Sequence, residues 1–139
     1  MDGYFYATRV YNAVYNDLAE FMPKAEDAEA GDVVIMTENG LAPSKERLDG
    51  AVVGVYSDSY GYALGAEDQE NKIPVAISGR VWVKIAEPCK IGDLLVSGKR
   101  GRASIRRSGD NVLGKVIGKV LKNKDDYDEE RIEMLVMNS

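Results

Sequence analysis

Two stretches of this chain follow one template, and the repeat limits the folds open to it. "AGDVVIMTENGLAPS" (30–44) lines up with "IGDLLVSGKRGRASI" (91–105). Both begin with a Gly-Asp step, run through three apolar residues, reach a second glycine and then an alanine. Each is followed by an apolar segment with an internal glycine, "VVGVY" (52–56) and "VIGKV" (116–120). Self-similarity of this kind marks a duplicated supersecondary unit. The unit reads as a β-hairpin: short apolar runs broken by turn residues, with Asn39-Gly40 a hairpin turn signal. Asp32 and Asp93 would accept hydrogen bonds from nearby backbone amides and shape the turn. The other reading of the two aspartates is a facing carboxylate dyad, but no protease signature surrounds either.

The rest of the chain after residue 30 has the same style. In "IPVAISGRVWVKIAEP", Val81, Val83 and Ile85 alternate with Arg80, Trp82 and Lys84, a period of two. "YGYALGA" reads as another strand. "VLGKVIGKVLKN" and "RIEMLVMN" read as a pair joined by the acidic loop at 123–130. The fold class expected is mainly β, a short-stranded sandwich or barrel-like domain of hairpins, with one short N-terminal helix. That helix is read from apolar residues at 14, 18, 21 and 22, closed by Pro23. "AEDAEAG" (25–31) offers one further helical turn.

Composition narrows the chemistry. At 139 residues the chain suits one domain with a sizeable core. The division expected is a shaft-like, extended lead-in over 1–16 and a single β domain over 17–139, with the repeat at 30–56 and 91–120. A net charge of −5 argues against nucleic acid as a partner. The basic run "KRGRASIRR" (99–107) is either a solvated hairpin tip or a local anion site. With no histidine, Ser-His-Asp and Cys-His catalysis and ordinary zinc sites are excluded. Cys89, the only cysteine, has no histidine to activate it. "NKDDYDEE" lacks the glycine and ligand spacing of a calcium loop. No cofactor and no metal are expected. No apolar run approaches the roughly 20 residues that cross a bilayer, and the N-terminus lacks signal-peptide character.

Two carboxylates stand out, Asp17 and Glu20 in "YNDLAEFMP". As Asp-x-x-Glu they match a capping box at a helix start. The functional alternative makes one of them an acid or base acting on the peptide bond between Asn16 and Asp17. Before them lies "GYFYATRVYNAVY", rich in tyrosine and phenylalanine, which a closed homo-oligomer would bury.

The ordered series "YNDLAEFMP…EAGDVVIM…VVGVYSD…PVAISGRVWVKI…IGDLLVSG…GKVIGKVL…RIEMLV" resembles the C-terminal domain of bacteriophage tail-fibre and neck-appendage proteins. The likeness is to the peptidase G2 type, the intramolecular chaperones that process themselves, and covers about residues 12 to 137. It implies an assembly domain at the end of a phage or prophage fibre or appendage, promoting homotrimerisation. The partners would be the chain itself, as a homotrimer, and the rest of the fibre. The location would be the virion, or the bacterial cytoplasm during assembly. In self-processing members the cut falls just before the acidic motif, which maps here to Asn16–Asp17, with Asp17 and Glu20 acting. Two positions depart from the pattern: Leu18 stands where a tyrosine is expected, and Asn16 lacks the hydroxyl that could attack its own carbonyl.

Other readings stay open. A glycan-binding tip would use the tyrosines of "VYSDSYGYALG", although tyrosine in a β-protein also serves cross-strand packing. A capsid-decoration protein shares the hairpin style. Met1 directly before shaft-like residues suggests a piece of a longer protein.

Overall fold

The computed structural model describes residues 17–137. Among them the chain is mainly β, with ten strands and one short 3-10 turn. In order they are β1 (Asp17–Pro23), β2 (Val33–Thr37), β3 (Gly40–Pro43), β4 (Val52–Val55), β5 (Tyr60–Leu64), β6 (Lys72–Ile85), β7 (Leu94–Ser97), the turn Lys99–Gly101, β8 (Ala103–Ile105), β9 (Gly118–Val120) and β10 (Glu130–Val136).

The 14-residue β6 organises everything else. Its first half, up to Gly79, pairs antiparallel with β1, and its second half pairs antiparallel with β10. Gly79 lies at φ 99°, the left-handed region that glycine tolerates. The second half belongs to a closed barrel. β10 pairs with β9, β9 with β7, β7 with β8, and β8 returns to β6 through the parallel pair Ile85↔Ala103. Val83, Ile85, Leu95, Val120, Ile132 and Met134 fill it and are almost wholly buried. Each such side chain contributes about 1.5–3 kcal/mol of burial free energy.

The first half repeats that plan. β2 pairs with β3 and β4, giving the order β3-β2-β4 that β8-β7-β9 also has. The antiparallel bridge Tyr56↔Val75 links this sheet to β6, and the parallel bridge Lys24↔Leu41 links it to the end of β1. Val34, Leu41, Ile73 and Val75 form its core. Three pairs of backbone bonds correspond. Gly31 donates to Tyr56 O and Gly92 to Val120 O, both at 2.9 Å. Tyr56 donates to Asp32 O and Val120 to Asp93 O, again both at 2.9 Å. Ser57 donates to Pro74 O as Leu121 does to Glu133 O. The likeness therefore reaches beyond 30–56 and 91–120: β1 matches the second half of β6, and the first half of β6 matches β10.

Side chains lock the halves together. Lys84 pairs with Asp32 (2.8 Å) and with Glu29, and Arg131 grips Asp58 with two bonds of 2.7 and 3.1 Å. Ser44 is fully buried, donating to Gly98 O (2.7 Å) while its carbonyl accepts from Gly101 N–H (2.9 Å).

The N-terminal helix does not form. Residues 17–23 are strand, and residues 25–31 are bends and turns with no helical turn; residues 13–16 lie outside the described residues. The reason is the seat between β5 and β6. There β1 is bonded on both edges, and both of its faces carry apolar side chains. Ala19 and Phe21 are buried on one face, while Leu18 and Met22 are half-buried on the other. An apolar residue on each face produces the spacing that reads as helical. Asp17 and Glu20 consequently form no capping box.

Candidate functional site

Asp17 opens β1 and is 7% exposed. It pairs with Tyr60 of β5 and Gly79 of β6, so backbone covers it on both sides. Its Oδ1 accepts from the hydroxyls of Ser57 (3.1 Å) and Ser59 (3.2 Å). Ser57 Oγ in turn accepts from the Ser59 backbone N–H (3.2 Å). The other oxygen, Oδ2, is buried and has no hydrogen-bond partner among the described residues. Burial pushes the carboxyl above its ordinary pKa; the two serine hydroxyls pull the other way, and the charge of Asp58 adds to the rise. Asp58 itself is held down by the Arg131 guanidinium.

A cleft of about 380 Å³ lies beside this acid, lined by Phe21, Tyr56, Ser57, Asp58, Tyr60 and Lys72 among others. The Phe21 and Tyr60 rings meet edge to face, with centroids 5.8 Å apart. The chemistry available is that of a carboxylic acid kept protonated nearer to neutrality than usual, with two hydroxyls beside it.

The structure separates the two carboxylates of the sequence motif. Burial alternates through β1, so Asp17 shares its face with Ala19 and Phe21, and Glu20 takes the other face with Leu18 and Met22. Glu20 lies opposite Leu64 and Val75. Asn16 and the aromatic lead-in lie outside the described residues. Asp17 instead meets Ser57 and Ser59, and the clue in the sequence was "YSDSY", two hydroxyls around an acid.

Asp32 and Asp93 sit in separate halves and each closes its own turn. The Glu29 N–H donates to Asp32 Oδ2 (2.9 Å) and the Lys90 N–H to Asp93 Oδ2 (2.8 Å). Cys89 is buried, which raises its thiol pKa and keeps it unreactive. The acidic loop is organised by Lys124, 4% exposed, whose ammonium donates to Asp126 O (2.6 Å) and Asp126 Oδ1 (2.8 Å). No group of three or more metal-ligating side chains occurs among the described residues. No helix among them is long and apolar enough to cross a membrane. Of the tyrosines of 56–62, Tyr56 and Tyr60 are half-buried and both line the cleft at Ser57, and Tyr62 is 65% exposed.

No family model matches the sequence, and no curated protein matches it. The fold is similar to a solved structure, the crystal structure of the C-terminal fragment of bacteriophage phi29 gene product 12. The TM-score is 0.65 at 16% sequence identity, over 87% of this chain and 100% of that one. The backbone plan built on β6 is thus one that a bacteriophage protein fragment also adopts.

Proposed function

We propose that this chain is an assembly domain of a phage or prophage fibre or appendage protein, acting as a homotrimer. The observation that carries the reading is the backbone match over the whole length of a phage C-terminal fragment. A feature of the sheet supports association. β5 ends the seven-stranded sheet, and no described strand pairs with its outer side. Its sequence "YGYAL" has no charge and no proline, and Tyr62 and Leu64 are 65% and 44% exposed. Natural proteins protect such edges, and association of copies is one way to cover them. Asp17 pairs with Tyr60 of β5, and in this reading the aromatic residues before Asp17 form the end of the shaft. Light scattering after gel filtration tests it: three times the chain mass is expected, and a monomer overturns it.

A second reading is self-cleavage between Asn16 and Asp17, supported by the buried, partly unpartnered Asp17. In hydrolysis water adds to the Asn16 carbonyl, the C–N bond breaks, and the Asp17 nitrogen takes up a proton. A carboxyl with a raised pKa can supply that proton. Glu20 faces away and takes no part in this form of the proposal. Intact-mass spectrometry on the same peak is the test. Loss of residues 1–16 that stops in Asp17→Asn supports cleavage, and an undiminished mass after prolonged incubation removes it.

A further inference from the structure

The duplicated fold carries its own comparison, and one hairpin departs from its twin. The β2–β3 hairpin turns between Thr37 and Gly40, with Glu38 and Asn39 at the tip. The β7–β8 hairpin takes a longer path from Ser97 to Ala103, with Lys99 and Arg100 at the tip. Arg100 sits at φ 58° and ψ 38°, a left-handed conformation unfavourable for a residue with a Cβ. Arg106 donates its backbone N–H to Leu94 O (2.8 Å), the bond that Ser44 makes to Val33 O (2.8 Å). Cations therefore stand where the twin has Glu38, Asn39 and Ser44. The twin shows that the fold requires none of these changes. Strain and charge beyond what a fold needs point to a task at that place.

A cleft of about 340 Å³ opens beside Lys99, while Arg100 lines a separate cleft with Asp27, Glu29, Asp32 and Lys84. Lys99, Arg102 and Arg107 are among the side chains around the first, with Ser104 and Glu87 between them. The ion pairs are unevenly spent. Arg102 pairs with Glu129 (2.5 Å), while Arg107 reaches only 3.8 Å from Glu87. That last pair has a twin, Lys45–Glu26 (2.6 Å), and belongs to the fold. Lys99, Arg100 and Arg106 have no anionic partner among the described residues, on a chain of net charge −5.

We propose that this cleft binds a small oxyanion carried on a hydroxylated body, a sugar phosphate or a uronic acid in class. Lys99 and Arg107 supply the charge for the oxyanion. The Glu87 carboxylate, which accepts from the Ser104 hydroxyl (3.4 Å) and the Ile105 N–H (3.2 Å), can accept a further bond from a hydroxyl group of the body. No aromatic side chain lines the cleft, so it offers no surface on which a nucleobase could stack. Its volume lies at the lower end of small-ligand sites. The inference needs a single chain and stands apart from the assembly reading.

Calorimetric titration of the full chain in low salt tests it, with glucose 6-phosphate, glucuronate, inorganic phosphate and an oligothymidylate as probes. Saturable one-to-one binding of glucose 6-phosphate or glucuronate is expected, tighter than inorganic phosphate. Lys99→Glu, an exposed change that leaves the core alone, should weaken it at least about tenfold, and Lys99→Arg should retain it. Absence of saturable binding overturns the proposal, as does equal binding by Lys99→Glu. Inorganic phosphate binding as tightly as the sugar phosphate removes the hydroxylated body. Tighter binding of the oligothymidylate replaces the class with nucleic acid.

Discussion

Gly54 and Gly118 hold the same place in the two halves of the fold. Gly54 pairs with Val34 and Gly118 with Leu95, the second apolar residue after each Gly-Asp turn. Each glycine lets a crossing strand come close. A Cβ at 54 would lie 2.9 Å from Val75 Cγ1, and one at 118 would press on Met134 and lie 2.7 Å from Leu135 O. Val75 and Met134 are themselves equivalent, each paired across from the strand that carries the glycine.

The two glycines should therefore differ in degree. Gly118→Ala drives its methyl into a backbone oxygen, which cannot yield as a side chain can. We expect a loss of about 2–3 kcal/mol in urea unfolding for Gly118→Ala and about 1 kcal/mol for Gly54→Ala, the ordinary range for overpacking. Equal, negligible losses would mean that the halves pack more loosely than the geometry indicates.

Arg47 fixes the loop after β3 to the second half. Its guanidinium donates to Ser104 Oγ (3.0 Å), Ile105 O (2.5 Å) and both oxygens of Asp110 (2.6 and 3.1 Å). Arg47, with the Arg107 backbone N–H, holds the Asp110 carboxyl down at about 2, from 3.8. A depressed folded-state pKa gives stability that is present above about 3.8 and lost as the pH falls toward about 2. Arg47→Met should lessen that loss, leaving the share that the Arg107 N–H supplies, so its acid-unfolding curve between these values should be flatter than that of wild type. A superimposable curve would show that the pair carries no linkage.

The hairpins were legible in the sequence because Gly31-Asp32 and Gly92-Asp93 are local devices: a left-handed glycine and an acid bonded to an amide three residues back. The wider duplication was harder to see. Ala25-Glu26 recurs as Ala86-Glu87, and Ile73-x-Val75 as Ile132-x-Met134. Loops of different length separate these matches, and alternation alone tolerates many residues at each position. The strand state of β1 is not legible locally, because it is set by two neighbours brought from far along the chain. The Asp17–Ser57–Ser59 cluster was out of reach for the same reason, since no local pattern places a loop at 57–59 over residue 17.

Lys124 is a case of a charged residue doing a core residue's work. Its side chain is 1% exposed, its backbone pairs with Cys89 in both directions at 2.9 Å, and its ammonium is bound by Asp126. Lys124→Met keeps the buried stem and loses both ammonium bonds. The loss expected is about 1–2 kcal/mol, with faster hydrogen exchange at 124–128. A stability equal to wild type would mean that apolar packing alone holds the loop.

Asp17 yields the prediction with the clearest sign. Its pKa is raised in the folded chain, so folding takes up a proton there. Stability from this group is fully present below the unfolded value, near 3.8, and is lost as the pH rises through the raised folded value. Above that point the fold carries a buried carboxylate with one unpartnered oxygen. Asp17→Asn removes the charge and keeps an oxygen that can accept from Ser57 and Ser59. The variant should gain on wild type as the pH rises from 4 to 8, and the difference should shrink at the acid end. Measuring both proteins at each pH cancels the opposite linkage of Asp58, whose pKa is lowered by Arg131. Urea midpoints for the pair across this range are the check. A difference that does not change with pH would show that Asp17 is charged and well solvated in the folded chain, and would remove the support it lends to self-cleavage.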